Sequence, residues 1–271
     1  MSCRRRSALR LLGSVALGGV VAISGGVAEA QEKPAAIDAR TVLTVDGGVA
    51  LHALSALSDA HVQKMADVLT LIASTDAVRS AEWEQVRVPL ADAARMNVPA
   101  VLWFALPSGT YWTLAHGRAD ATLSDRAYFP RAVQGQSVFG ELVVSHSTHR
   151  NTAIVAVPVR GHDGAVVGVL GSSIHLDSLS ALVREEMGGL DDGLFFFAID
   201  DEPIGAIHSD STLIFTEPMK LGDEGMRRAF EEIVSSQEGT VTYAFRGRSR
   251  TVLYRRSPVS GWRYGLGRIE P

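Results

Sequence analysis

The feature that most constrains the fold of this chain is a change in hydrophobic spacing at Pro99. Before Pro99, apolar residues recur every three or four positions in two stretches, 45–73 and 81–96. That spacing places them along one stripe of an amphipathic helix. After Pro99, short apolar runs alternate with turn residues, which is typical of antiparallel strands. The sequence therefore predicts one long helix and one shorter helix, followed by strands.

The strand pattern occurs twice, and Gly188-Gly189 separates the two copies. Predicted strands of the first copy span 101–105, 111–114, 152–159 and 165–174, and those of the second span 194–199, 204–208, 239–245, 251–256 and 262–267. Predicted helices follow residues 126–129 and span 177–186, with Asp177 as N-cap, and 223–235. Residues 115–125 are expected to form a polar loop. The repeat predicts an α+β fold with a long N-terminal helix and two antiparallel sheets.

The first thirty residues have the pattern of an export signal. Four arginines precede the uncharged apolar stretch 11–27, and Ala28-Glu29-Ala30 supplies the small residues of a cleavage site. We expect a signal peptide over residues 1–30, a linker over 31–44 and a periplasmic or secreted protein. The run 5–9 also resembles a twin-arginine signal. The alternative is an uncleaved N-terminal membrane anchor, although the apolar stretch is short for a span.

Charge and cysteine content exclude several classes of function. Removing residues 1–30 takes four arginines and one glutamate from 26 basic and 30 acidic residues, which leaves a net charge of −7. An acidic chain is a poor match for nucleic acid or an anionic membrane. The single cysteine, Cys3, lies in the leader. The mature chain is therefore expected to have no disulfide, no thiolate nucleophile and no cysteine metal site.

Seven segments resemble the double Cache family, the extracytoplasmic sensor domains of chemoreceptors, histidine kinases and cyclases. The resemblance covers nearly all of residues 40–270. It rests on the order and spacing of segments 105–112, 124–131, 157–170, 197–201, 207–210, 239–245 and 261–267.

The resemblance implies a long helix packed along two PAS-like modules. The helix and the membrane-distal module would span 45–187, and the second, membrane-proximal type of module would span 188–271. Family members hold small metabolites, usually in the first module. Most continue into a transmembrane helix, whereas this chain ends at Pro271. We therefore expect a freestanding module that passes its ligand state to a membrane receptor or kinase.

Arg126 and Tyr128 are the principal candidates for ligand binding. In family members that bind amino acids, the matching arginine and aromatic residue hold the ligand carboxylate. A guanidinium fork matches a carboxylate bidentately. The position that carries an acid for the ligand ammonium is Ser173 here, and a further polar position falls near Ser145. A small carboxylate, such as an organic acid, or a neutral polar metabolite is therefore expected instead of an α-amino acid. Alternatively, Arg126 pairs with Asp125 or Asp120, and Tyr128 is a core residue.

Trp103 and Trp112 lie on the first predicted hairpin and are candidate pocket walls, with a core position as the alternative, favoured for Trp103. His146 and His149 raise the possibility of a metal site, but no third ligand is near in sequence. We predict neither metal nor cofactor. His162 is expected to be solvated, and His208 to be structural.

The enzyme alternative depends on residues 171–175, Gly-Ser-Ser-Ile-His. This run lacks the second glycine of a nucleophile elbow, and no acid and histidine follow it in the expected order. The sequence contains no phosphate loop or HExxH motif. Three hypotheses remain in decreasing order: a small-molecule sensor, an accessory or protein-interaction subunit without a ligand, and an exported hydrolase.

Overall fold

The computed structural model of the protein describes residues 45–95, 98–188, 190–191 and 193–270. The predicted signal peptide and linker lie outside these residues. In the described part of the chain, no helix is long and apolar enough to cross a membrane.

Helix α1 (Gly47–Ala73) is the long N-terminal helix that the spacing predicts. Asp46 begins it, because its carboxylate accepts hydrogen bonds from the backbone N–H groups of Gly48 and Val49 at 2.8 and 3.2 Å. This cap offsets the helix-weakening effect of two glycines in the first turn. The short helix α2 (Asp76–Arg79) and the predicted second helix, α3 (Trp83–Ala94), follow.

The first sheet contains six antiparallel strands in the order β3-β2-β1-β6-β5-β4. These are β1 (Ala100–Ala105), β2 (Thr110–Thr113), β3 (Gly117–Thr122), β4 (Val138–Val144), β5 (Asn151–Arg160) and β6 (Val166–His175). Helix α4 (Phe129–Val133) precedes β4, and α5 (Leu176–Glu186) follows β6.

The second sheet contains five antiparallel strands in the order β8-β7-β11-β10-β9. These are β7 (Leu194–Ile199), β8 (Gly205–His208), β9 (Glu238–Phe245), β10 (Arg248–Arg256) and β11 (Arg263–Ile269). Two short 3₁₀ turns, Ser211–Leu213 and Pro218–Lys220, lead from β8 to α6 (Glu224–Ser235). The α+β prediction of a long helix and two antiparallel sheets is confirmed.

Three details of the predicted secondary structure are wrong. The expected loop 115–125 contains strand β3, whose polar residues pair with β2 at the sheet edge. Strand β4 was not expected, and a left-handed Gly140 interrupts its pairing with β5. Helix α5 begins after His175, and Asp177 lies inside the first turn. There the Asp177 carboxylate binds the guanidinium of Arg150 as well as the Ser178 N–H.

Helix α1 packs against one face of each sheet and joins them in one core. Asp59 on α1 accepts hydrogen bonds from Ser257 Oγ at 2.7 Å, Ser260 Oγ at 3.1 Å and Tyr264 Oη at 3.0 Å. Burial raises the pKa of the Asp59 carboxyl, and these hydrogen bonds oppose that rise. The opposite face of each sheet carries a separate apolar cluster, one around Trp103 and one around Phe197. Candidate cavities occur on these two outer faces.

Candidate functional site

The first cavity lies on the outer face of the first sheet. Side chains of a strand alternate between the two faces, so Trp103 points outward while Phe104 packs toward α1. The cavity measures about 20 Å³, which is space for one or two water molecules. Its lining residues are Trp103, Tyr111, Leu123, Arg126, Tyr128, Val143, Ser145, His146, Ser147, Ile154 and Ser173. The structure therefore brings together Arg126, Tyr128, Trp103, Ser145 and Ser173, five of the six predicted residues.

Trp103 forms the floor of this cavity and is almost fully buried. Its ring lies across β6 over Gly171, where an added Cβ would come within 2.0 Å of the ring. This close approach lets the indole Nε1 donate to Ser173 Oγ at 3.2 Å. Trp103 is thus both a core residue and a wall of the cavity.

Arg126 enters the cavity from the turn that precedes α4. The turn is fixed by two backbone hydrogen bonds of 3.0 Å, from Arg126 N–H to Leu123 and from Phe129 N–H to Arg126. The guanidinium donates from Nη2 to the Val144 carbonyl at 2.8 Å. Among the described residues, no carboxylate forms an ion pair with Arg126. The alternative pairing of Arg126 with Asp125 or Asp120 is therefore not observed.

Tyr128 and Tyr111 supply two phenol groups to the same cavity. Both side chains are buried, and the Tyr128 ring lies 6.4 Å from the Trp103 ring. Burial raises the pKa of both phenols, and the positive charge of Arg126 only partly opposes this effect. Both hydroxyls therefore stay protonated at neutral pH and can donate hydrogen bonds to a ligand.

Ser145 begins a tight turn that covers the cavity. Its N–H donates to the Arg150 carbonyl at 2.9 Å, and its hydroxyl accepts from the Thr148 N–H at 3.3 Å. The Ser145 hydroxyl thus stabilises the turn. In the same turn, the buried Nδ1 of His146 has no hydrogen-bond partner among the described residues, and His146 Nε2 lies 3.6 Å from Asp125 Oδ2.

Trp112 is not part of the cavity, so its predicted role as a pocket wall is wrong. It pairs with Phe104 in the β1–β2 ladder and therefore shares the inward face of the sheet. Its ring stacks on Trp83 of α3 and on Phe104, each at 6.3 Å between ring centroids. Once the register of the hairpin is known, the alternation of side chains along each strand places Trp103 and Trp112 on opposite faces of the sheet.

Two residues that line the cavity were not among the predicted site residues. Tyr111 is opposite Ala105 in the hairpin and so lies on the same face as Trp103, a relation that alternation along β2 predicts. For His146, the sequence suggests only a possible metal site shared with His149. Within the described residues, no group of three His, Cys, Asp or Glu side chains is placed to hold a metal.

A larger cleft of about 820 Å³ adjoins the cavity between the two sheets. Arg126 and Val143 line both spaces. Elsewhere in the cleft, Arg131 is paired with Glu141, and Asp201 with both Arg256 and Arg263. Arg126 therefore stands between the open cleft and the closed cavity.

The two serines of the run 171–175 lie on opposite faces of β6. Ser172 points into the core beneath α1, whereas Ser173 faces the cavity and accepts from Trp103. His175 Nδ1 lies 2.9 Å from Arg150 Nη1 at the end of β6.

Several solved structures share this fold. The ligand-binding domain of the Pseudomonas aeruginosa PAO1 amino acid chemoreceptor PctB, in complex with L-Arg, superposes with a TM-score of 0.65 at 15% identity. The match covers 81% of this chain and 92% of that one. The ligand-binding domain of the Pseudomonas fluorescens chemoreceptor CtaA with L-alanine gives 0.64 at 16% identity, covering 82% and 95%. The periplasmic sensory domain of the Campylobacter jejuni chemoreceptor Tlp1 gives 0.57 at 12% identity, covering 83% and 90%.

No family model and no curated protein matches the sequence. The structural similarity extends over both sheets and α1, because more than four fifths of the chain is covered in each comparison. The chain thus has the fold of the double Cache sensor domains, with one long helix packed along two antiparallel-sheet modules.

Proposed function

We propose that this protein is an exported small-molecule sensor that binds a small carboxylate or a neutral polar metabolite in its first module. The observation that carries the proposal is the guanidinium of Arg126, which lines the cavity beside Tyr111 and Tyr128 without an ion pair among the described residues. A cation held beside a cavity with protonated phenols favours an anionic or hydrogen-bond-accepting ligand.

The cavity lining supports a ligand without an ammonium group. None of the lining residues is an aspartate or a glutamate. The nearest acid in sequence, Asp125, is directed toward His146 and is more than half exposed. An ammonium group enclosed here would lose its hydration without gaining a counter-charge. This chain thus differs in its proposed ligand from PctB and CtaA, whose structures contain L-Arg and L-alanine.

A ligand larger than water requires the cavity to open, since its volume is about 20 Å³. The turn of residues 145–150 is the part of the wall best suited to move. It is tied down mainly by its own hydrogen bonds, and His149 adopts a left-handed backbone conformation there (φ 54°). Opening would join the cavity to the adjoining cleft at Arg126, which lines both.

The small volume also supports a second candidate function. A first module filled by its own side chains is expected of an accessory or protein-interaction subunit that keeps the fold without a ligand. Both candidates place the protein outside the cytoplasm, in contact with a membrane receptor or kinase. The predicted leader and the sensory domains of similar fold support this placement.

A thermal-shift screen with paired acids and amides separates the candidates. The purified protein is heated with lactate, succinate and pyruvate, with lactamide and succinamide, and with L-alanine. A ligand of the native state raises the melting temperature by mass action. We expect one of the acids, or a neutral amide, to give the largest shift. Saturating L-alanine giving the largest shift would overturn the ligand class, and no shift with any compound would favour the accessory subunit.

A further inference from the structure

A second enclosed cavity lies in the second module, on the outer face of its sheet. It measures about 30 Å³ and sits between the sheet, helix α6 and the segment 209–223. Most of its wall is apolar. Its apolar lining residues include Ile199, Leu213, Pro218, Leu221, Met226 and Phe230. At one side the wall becomes polar, where Arg250, His208 and Tyr243 line the cavity together.

Arg250 is a buried cation that forms no ion pair with a carboxylate of the described residues. The residue is only 9% exposed, and its Nε has no hydrogen-bond partner among the described residues. The guanidinium carbon lies 4.7 Å from the Phe195 ring centroid and 4.8 Å from that of Phe245. The positive charge of the guanidinium also opposes the rise in the pKa of Tyr243 that burial causes. Aromatic faces attract a cation but do not neutralise its charge.

Asp210, whose negative charge acts on Arg250, is bound by other groups. Its carboxylate accepts from the N–H and hydroxyl of Thr212 at 3.0 and 2.7 Å. It also lies 3.3 Å from Arg246 Nη1. With Arg246 and Arg250 near a single carboxylate, the polar end of the cavity has excess positive charge.

His208 contributes a hydrogen-bond donor at the same end. Its Nδ1 accepts from the backbone N–H of Asp210 at 2.7 Å, so a neutral His208 carries its proton on Nε2. Burial lowers the pKa of the imidazole to about 4, so the ring is neutral at pH 7. The ring stacks on Phe195 and Phe197 at 6.3 Å, which fixes its plane.

Two glycines on β11 make this arrangement possible. An added Cβ on Gly265 or Gly267 would come within 2.3 Å of the Phe197 or Phe195 ring, respectively. Both rings can therefore lie flat across β11, and Phe195 reaches Arg250 on β10. The sequence thus builds an aromatic support beneath a buried guanidinium.

We propose that this second-module cavity binds a small monocarboxylate, and that it widens to do so because its volume of about 30 Å³ is smaller than such a ligand. Arg250 faces the carboxylate, the Tyr243 hydroxyl and His208 Nε2–H donate to it, and the short alkyl tail contacts the apolar wall. These three side chains offer hydrogen-bond donors and no carboxylate, so this end of the cavity suits an anion. The apolar wall favours a ligand with a short hydrocarbon tail over inorganic phosphate. The site is separate from Arg126 and does not depend on the proposed function of the first module.

The test is isothermal titration of the purified full-length protein with propionate, with propionamide and inorganic phosphate as comparison probes. Arg250→Met removes the charge while keeping much of the side-chain volume. Arg228→Met removes an exposed arginine of α6 in the same module, and Arg126→Met disables the first-module cavity. We expect Arg250→Met to weaken propionate binding by about tenfold or more, both in the wild type and in the Arg126→Met background, and Arg228→Met to leave this binding within about twofold of the wild-type value.

A second readout does not depend on the folding of a variant. Crystals of the wild-type protein grown with 3-bromopropionate locate the bromine by its anomalous scattering, and the proposal places it against the Leu213–Met226 side of the cavity. Loss of propionate binding in Arg126→Met alone would assign the anion to the first module and overturn this proposal. Absence of propionate binding in the wild type, or equal affinity for propionamide, would also overturn it and leave Arg250 as a structural residue.

Discussion

The indole nitrogen of Trp103 donates a hydrogen bond to Ser173 Oγ across the β1–β6 ladder at 3.2 Å. The resemblance to the double Cache family matches Ser173 to the position expected to carry an acid in members that bind amino acids. In this chain, its hydroxyl oxygen is occupied by Trp103, and Gly171 makes the contact possible. Under the proposed function, this internal contact lies where an amino-acid site would bind the ligand ammonium group.

Replacing Ser173 by aspartate should change the ligand preference. Ser173→Asp places a carboxylate on the cavity wall opposite the Arg126 charge, where it can neutralise an ammonium group. We expect L-alanine affinity to rise by about tenfold or more relative to wild type. Titration calorimetry measures the change, and Ser173→Asn serves as the uncharged control. Equal affinities of the Asp and Asn variants would contradict the charge argument.

Adding a methyl group at Gly171 should disturb the cavity floor. The new Cβ in Gly171→Ala would lie about 2.0 Å from the Trp103 ring, so the ring or β6 must move. We expect a loss of about 1–3 kcal/mol in the free energy of unfolding, measured by urea denaturation. The control, Ser172→Ala, removes a buried hydroxyl without a partner among the described residues and should change stability by less than about 0.5 kcal/mol. An unchanged free energy of unfolding in Gly171→Ala would contradict this argument, because it would show that the Trp103 ring has space to move.

The sequence predicted the elements with strong apolar periodicity and missed those with little apolar content. Helix α1 and strands β5 and β6 were found because they bury continuous apolar stripes. Strand β3, Gly-Arg-Ala-Asp-Ala-Thr, has no apolar face and forms only because β2 offers an unpaired edge. An edge strand of this kind depends on tertiary context.

The candidate site was predicted in composition but not in geometry. The resemblance to the double Cache family singles out Arg126 and Tyr128, and the structure brings them together with Ser173. The assignment of Trp112 failed because the hairpin register decides which tryptophan faces the cavity. The polar end around Arg250 was not anticipated, since its partners come from β7, β8 and β9 and are distant in sequence.

Acidification should weaken the fold through His208. The pKa of this imidazole falls from 6.5 to about 4 on folding, so the unfolded chain binds more protons between these values. The contribution of the neutral His208 imidazole to the free energy of unfolding is present above pH 6.5 and is lost as the pH falls toward 4. We expect His208→Gln to reduce the loss of unfolding free energy over this range by about 2 kcal/mol. The exposed His162→Gln is the control, and an unchanged pH profile in His208→Gln would refute the assignment.

Asp59 should be a principal link between α1 and the second sheet. Asp59→Ala deprives three hydroxyl donors of their acceptor and should lower the free energy of unfolding by about 3 kcal/mol. Asp59→Asn retains a carbonyl acceptor and should cost less. Asp67→Ala removes an exposed acid of the same helix and should have little effect.

The pH dependence of Asp59 has the opposite sign to that of His208. Because the folded pKa of this carboxyl is raised, its contribution is fully present below the unfolded value of about 3.8 and is lost as the pH rises through the folded value. Urea denaturation of the wild type and Asp59→Asn across acidic pH measures the difference. A wild-type stability that rises more steeply with pH than that of Asp59→Asn would contradict this sign.

The most direct test of the first-module proposal is calorimetric titration of the acid that gives the largest thermal shift, together with its amide. The proteins compared are the wild type, Arg126→Met and Arg118→Met, the last of which removes an exposed arginine of β3. If a carboxylate binds at Arg126, the acid should bind the wild type and Arg118→Met with affinities within about twofold, and Arg126→Met about tenfold or more weakly. Undiminished binding of the acid to Arg126→Met would contradict the assignment of Arg126 as the ligand-binding cation.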